Sequence, residues 1–438
     1  MKNMSQFQII LLGVFSFLAV VGVIFFATFK GATQAEIPMV TLWGTYPEAV
    51  MRNYFDSEAV RALKVKVTYV EKSEDTLDRD FVEALAEGRG PDFLLLPQSL
   101  LEKERGKLVE IPFKTFSERE FKDTFITGTE LFLTDMGTLG IPFAVDPLIM
   151  YWNRTLYSNA GVATTPKYWE EVTALSNKLT TKEDNGTITQ SAVALGAYQN
   201  ITNAKALLSA LFLQVGSGIT TLDSNNKLVA TFKDEQGDSS GVTPAESVVT
   251  FYTAYSDPAK TVYSWNSALN NSSRSFVEGT LATYIGLGSE ITSIRKRNPN
   301  LNFDVATLPQ VKGGKEKLTY GDFTAFVFPR QSKLTNAAYQ VARLLTGSAP
   351  AKTFADMSGL APVRRDLLSQ TPSQAYAAVL YSSALMSQAW RDPDPVATDR
   401  VFDSLIKSVQ SGANSPGEAV RNAGQEITDI IGTTPGNP

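Results

Sequence analysis

The chain has 438 residues, 40 Lys and Arg against 45 Asp and Glu, a net charge of -5, and neither cysteine nor histidine. Those absences exclude disulfides, thiolate metal sites, thiol nucleophiles, Ser-His-Asp and Cys-His arrangements, the usual zinc centres and imidazole bases. No basic run points to nucleic acid, and what remains is carboxylate, lysine or tyrosine chemistry, or binding without chemistry, with no cofactor implied.

Residues 7–29 carry no charge and lie between Lys2 and Lys30. A run of this length can span a bilayer, which takes about 20 apolar residues. A secretory signal has a shorter apolar region, roughly 7–15 residues, ending at a small-x-small site. The nearest such site, Thr33-Gln34-Ala35, is a poor one. Segment 1–30 therefore reads as an N-terminal transmembrane anchor, with a cleaved signal as the alternative, and 31–37 as a linker. Either reading sends the rest of the chain out of the cytoplasm. About 400 residues follow, whereas single cores stop growing at roughly 250–300, so two lobes are expected.

After the linker, residues 40–43 read as a strand, 47–63 as a helix, 65–70 as a strand, 76–87 as a helix and 93–96 as a strand. This alternation predicts right-handed βαβ units and a parallel sheet, with ligand beyond the carboxyl ends of the strands. Gly44-Thr45-Tyr46 and Pro97-Gln98-Ser99 reach that edge. Further strands are predicted at 148–152, 192–195, 282–287, 303–307 and 323–328. Thr243-Pro244-Ala245-Glu246, Thr371-Pro372-Ser373-Gln374 and Ser415-Pro416-Gly417-Glu418 each carry a hydroxyl cap, a proline at the first helical position and a capping-box acid or amide. They are helix starts and say nothing of function. Residues 433–438 read as an unstructured tail.

Two segments are more specific. Ile141-Pro142-Phe143-Ala144-Val145-Asp146-Pro147-Leu148-Ile149-Met150-Tyr151-Trp152-Asn153, then Pro166-Lys167-Tyr168-Trp169-Glu170-Glu171, resembles the crossover between lobes in family 1 extracellular solute-binding proteins, the class of maltose-binding protein. Trp152 before the Asn and Tyr168 in place of a Thr depart from the usual pattern. Gly90-Pro91-Asp92-Phe93, Phe276-Val277-Glu278-Gly279-Thr280-Leu281-Ala282 and Tyr320-Gly321-Asp322-Phe323 resemble further family segments in the same order, and the likeness runs from about residue 39 to 431. It implies an α/β, two-lobed periplasmic-binding-protein fold, each lobe a mainly parallel sheet flanked by helices, here preceded by one transmembrane helix. Lobe one would take 38–144 and 309–348, and lobe two 145–308 and 349–432. Hinges would lie near 144–147 and 307–310, with a third crossing near 348–351. The implied function is a membrane-anchored, monomeric extracytoplasmic receptor. It would close on a small polar ligand, a sugar or oligosaccharide, and pass it to the permease subunits of an ATP-binding-cassette importer.

Within that frame Trp43 and Tyr46 can stack on a sugar face, and Gln98 and Ser99 share the next strand end. Asp146 stands at the crossover, where family members commonly place a carboxylate or another polar contact, and a carboxylate accepts paired hydroxyls. Trp265 and Trp390 are aromatics in polar surroundings, Tyr320 and Asp322 precede a strand at the other crossing, and Gly288 and Ser289 open a helix whose free N–H groups can hold oxygens. Packing is the competing role for each. Without histidine or cysteine, ligand binding is expected to show little titration between pH 6 and 8, where only a shifted carboxylate, a shifted amine or the terminus could titrate. A glycosidase using Asp146 and Asp322 is one alternative, since hydrolysis needs two carboxyls about 5–9.5 Å apart. The same fold binding a polyamine, peptide, metal complex or phosphate compound is another, and a ligand-free scaffold a third.

Overall fold

The computed structural model describes residues 38–232, 237, 239–372 and 376–433, and they begin with the predicted alternation. Strands β1 (Val40–Gly44), β2 (Val67–Glu71) and β3 (Phe93–Pro97) pair in parallel, β1 in the middle. The Asp92 carboxylate accepts from the Thr41 amide at 2.8 Å and from the Ser332 hydroxyl at 2.9 Å, which explains an acid at the entry to β3. The helix predicted over 47–63 is divided, Glu48–Asp56 and Glu58–Arg61, because Ser57 is extended and its hydroxyl donates to the Tyr54 carbonyl at 2.6 Å. The anchor 1–30, the linker 31–37 and tail residues 434–438 lie outside the described residues. Among those described, no helix is long and apolar enough to cross a membrane.

The main departure from expectation is β4 (Ile141–Asn153), which runs unbroken through 144–147, where the hinge was expected, into the strand predicted at 148–152. Pro142 and Pro147 are accommodated because a fixed φ near −65° suits extended backbone, and each costs one ladder donor. The remaining strands of the same sheet are β5 (Thr181–Lys182), β6 (Ile188–Val193), β7 (Leu281–Leu287), β8 (Phe303–Thr307), β9 (Thr319–Val327), β10 (Ala361–Pro362) and β11 (Ser387–Gln388). The order is β2-β1-β3-β9-β4-β7-β6-β5, with β8 and β10 also on β4 and β11 on β9. β4 pairs antiparallel with β7, β8, β9 and β10, and β9 antiparallel with β3. The sheet is therefore mixed rather than mainly parallel. Two long strands, β4 and β9, run side by side from one lobe to the other.

The third crossing falls later than 348–351. Phe354, on the helix Ser348–Ser358, packs 4.4 Å from Phe143 and 5.4 Å from Tyr54, inside the first lobe. The chain stays there through the Ile126 amide to Val363 carbonyl bond at 3.0 Å and the Arg365 Nε to Lys122 carbonyl bond at 3.0 Å. Tyr376 then stacks on Phe303 of β8 at 6.3 Å, in the second lobe. The apolar spacing of Pro350, Ala351, Phe354 and Ala355 records this helix's buried face. Nothing in that spacing states which lobe it covers. Two predicted helix starts form as drawn: Thr243 accepts from the Glu246 amide at 3.1 Å, and Ser415 and Glu418 exchange bonds at 2.8 and 3.3 Å. Of the other, Ser373 and Gln374 lie outside the described residues, and the following helix spans Ala377–Leu385.

Candidate functional site

The floor of the site follows from the two-residue period of a strand. Along β9 the residues Tyr320, Asp322 and Thr324 are partly buried while Thr319, Gly321, Phe323 and Ala325 are fully so, and the three polar groups share one face. Asp322 stands opposite Asp146 of β4 in the antiparallel register, and cross-strand partners present side chains to the same face. The two carboxylates singled out 176 positions apart thus become neighbours (322 − 146 = 176). Gly321 lets β11 approach, since a Cβ there would meet the Ser387 Cβ at 2.6 Å.

The first lobe contributes the ends of β1 and β3. Gln98 is buried, and its Nε2 donates to the Tyr320 hydroxyl at 2.7 Å. The Tyr46 hydroxyl donates to Thr324 Oγ1 at 3.0 Å, and its ring meets Phe354 edge-on at 5.0 Å. Tyr46 is thus a packing residue as well as a candidate contact. From the second lobe, the Ser289 amide donates to Asp146 Oδ1 at 3.0 Å. Gly288 sits so close that a Cβ would meet Leu380 Cδ2 at 2.5 Å and the same Asp146 oxygen at 3.2 Å.

A cavity of about 490 Å³ opens beside Asp322, with Ser99, Tyr320 and Asp322 on one side and Asn203, Lys205, Ser209, Leu287, Trp390 and Asp392 among its other lining residues. Trp390 is mostly buried, bonded through Nε1 to Ser209 Oγ at 3.0 Å and stacked on Phe402 at 6.1 Å, so it forms wall and core at once. A larger groove of about 830 Å³ on the second lobe, lined by Ser256, Asn266 and Lys407 among others, contains none of the candidate residues.

Of the candidates, Ser99, Tyr320, Asp322 and Trp390 line this cavity; Tyr46, Gln98 and Asp146 do not, Gly288 and Ser289 line a separate one of about 170 Å³, and Trp265 and Trp43 are packed elsewhere. Trp265 is fully buried, with Nε1 donating to Asn200 Oδ1 at 3.1 Å, because the polar loop around it folds over the ring. Trp43 is also buried, and Lys72 covers its ring at 4.0 Å. Asn203, Lys205 and Asp392 were missed. Lys205 Nζ lies 2.6 Å from Asp392 and also bonds Thr398 Oγ1 at 2.7 Å and the Pro395 carbonyl at 3.0 Å. The signal for it was a lone cation in the otherwise uncharged helix Ala204–Gln214.

Burial pushes two carboxyls of the candidate site toward neutrality. Asp146 is pushed up to about 7, mainly by loss of water, with Asp322 and Glu290 adding to the Ser289-opposed shift. Asp322 is pushed up to about 7 by the same loss and by Glu74, against a hydrogen bond from Gln98. Both start from an ordinary 3.8. Between about pH 4 and 7 the folded state therefore holds protons that the unfolded state has released, so these groups' contribution to stability falls as pH rises, then levels off. Asp322→Asn should gain in melting temperature over wild type as pH is raised from about 5 to 8. A difference that does not change with pH would contradict this placement of Asp322.

A family model described as bacterial extracellular solute-binding protein matches residues 58–380. A protein of Brucella abortus (strain 2308), assigned as a binding protein, is 23% identical over 335 residues, 73% of this chain and 74% of that one. Among solved structures, a cyclo/maltodextrin-binding protein complexed with maltotetraose is 17% identical, with a TM-score of 0.70 over 92% of this chain and 99% of that one. A maltotriose-binding protein of Thermus thermophilus bound with maltotriose is 16% identical, with a TM-score of 0.63 over 90% and 100%. An ABC transporter solute-binding protein of Thermotoga lettingae bound with α-D-tagatose is 18% identical, with a TM-score of 0.62 over 90% and 99%. At such identities these structures share the two-lobed fold with this chain.

Proposed function

Because the chain belongs to the bacterial extracellular solute-binding protein family, we propose that it captures a sugar or short oligosaccharide between its lobes and delivers it to an ATP-binding-cassette importer. One observation carries the reading. The crossing strands set Tyr320, Asp322 and Thr324 on one face opposite Asp146, beside a cavity that both lobes line. Carboxylates and hydroxyls there can pair with sugar hydroxyls, and Tyr320 and Trp390 offer rings to a sugar face. A solute touching residues of both lobes favours the closed arrangement through its extra contacts, which is how binding biases a hinge. The role is capture rather than turnover. The solved relatives named for maltotriose and maltodextrin support the sugar class.

A thermal-shift screen of the purified chain against monosaccharides, oligosaccharides, polyamines and phosphates tests this. A ligand at 100 times its dissociation constant stabilises the folded state by about 2.7 kcal/mol. Saccharides should supply the largest shift. A shift confined to polyamines or phosphates would replace the sugar reading.

Residues 7–29 are proposed as a retained anchor, with the N-terminus cytoplasmic and the lobes outside the membrane, held near the permease subunits as a monomer. N-terminal sequencing of the protein from cells should begin at or near Met1. A mature terminus near Glu36 would show a cleaved signal instead.

A further inference from the structure

Resting on the sugar-binding reading, we propose that the solute carries a protonated amine, so that this cleft takes an amino sugar in preference to a neutral sugar of the same shape. Asp322 lines the cavity and stands in register with Asp146 on the next strand, and among the described residues no Lys or Arg is in an ion pair with either. The nearest-placed amine in the cavity wall, Lys205, has three acceptors already, Asp392, Thr398 and the Pro395 carbonyl, which is the full capacity of an ammonium. Arg400, the other cation of the wall, lies on the helix Pro395–Gln410 and forms no ion pair with Asp146 or Asp322 among the described residues. Gln98 packs behind Tyr320 and Asp322, 2% exposed: its side-chain amide donates to both, and among the described residues its Oε1 has no donor.

The floor is therefore rich in acceptors and lacks a positive charge. Sugar hydroxyls are donors and acceptors alike and leave such a charge uncompensated, whereas an ammonium has three donors, no acceptor and the missing sign. The surrounding groups sharpen the imbalance. Glu74 faces Asp322, while Glu290 and Asp322 face Asp146. The phenols of Tyr46 and Tyr320 are pushed up first by burial and then by these carboxylates. Asp392 on the far wall is neutralised by Lys205. In the empty protein, protons take the place of the missing cation. An incoming ammonium favours the ionised carboxylates, so binding near neutrality expels protons.

Calorimetric titration of the full-length chain at about pH 6.5, in two buffers of different ionisation heat, reads both affinity and protons released. The probes are D-glucosamine and its deacetylated disaccharide, the N-acetylated forms of each, D-glucose and maltose, and putrescine. The amines should bind at least about tenfold tighter than their acetylated forms, with proton release. Asp322→Asn should remove both the preference and the release while melting no lower than wild type. Neutral sugars binding as tightly as the amines, without proton release, would overturn the inference and leave the sugar receptor standing. Putrescine binding with no sugar bound, or no binding by any probe, would overturn the sugar reading and the inference with it.

Discussion

Arg391→Ala is expected to lower folding stability by about 3–5 kcal/mol, the range for removing one partner of a buried ion pair. Arg391 Nη1 lies 2.6 Å from Glu102 Oε1, with the side chains 9% and 6% exposed. Its Nη2 also donates to the Leu133 carbonyl. Without the guanidinium, Glu102 keeps only Arg105 at 3.4 Å as a charged partner, and a carbonyl loses its donor. The loss is also placed where the lobes are tied together. Arg391 and Asp394 reach Glu102 and Lys103 of the first lobe, whereas Trp390 and Asp392 reach Ser209 and Lys205 of the second. Urea unfolding followed by circular dichroism gives the comparison. A loss below about 1 kcal/mol, the value of an exposed pair, would show that the pair is solvated in solution.

Asp146→Asn is expected to weaken saccharide binding by at least about tenfold, because a charge-assisted hydrogen bond is worth about 1.5–3 kcal/mol. The amide oxygen can still accept from the Ser289 amide, so the bond that links the carboxylate to the second lobe survives. What is removed is a negative charge that burial disfavours, and that Asp322 and Glu290 disfavour further. Stability above about pH 7 should therefore hold or rise, as when a functional group is kept at a cost to the fold. Loss of affinity together with loss of fold would make Asp146 a structural acid. Tyr46→Phe is the companion variant, since the ring packs on Phe354 and truncation would disturb the core.

The local patterns that announce β1, β2 and β3 are dense in this sequence, and those strands lie within two residues of where alternation places them. β4 was not legible as one strand. Pro142 and Pro147 carry the same signal in a turn and in an extended crossing, and only the pairing with β7, β8 and β9 decides between them. The site was legible one residue at a time. Asp146, Asp322, Gln98 and Tyr320 could each be picked out, but their apposition depends on a register that no local spacing encodes. Lys205 and Asp392 are separated by 187 positions, so neither marks the other along the chain. Trp265 misled because polar neighbours suggested exposure, whereas those neighbours bond to one another and enclose it. Composition counts imidazoles, whereas only the fold shows which carboxyls burial pushes toward neutrality.

The most direct test of a solute-binding cleft on the crossing strands is calorimetric titration of the chain and its Asp146→Asn variant with whichever saccharide gives the largest thermal shift. Saturable binding by one site per chain is expected, weakened at least about tenfold in a variant that melts no lower than wild type. Equal affinity in the two folded proteins would contradict it, and would move the site away from β4 and β9.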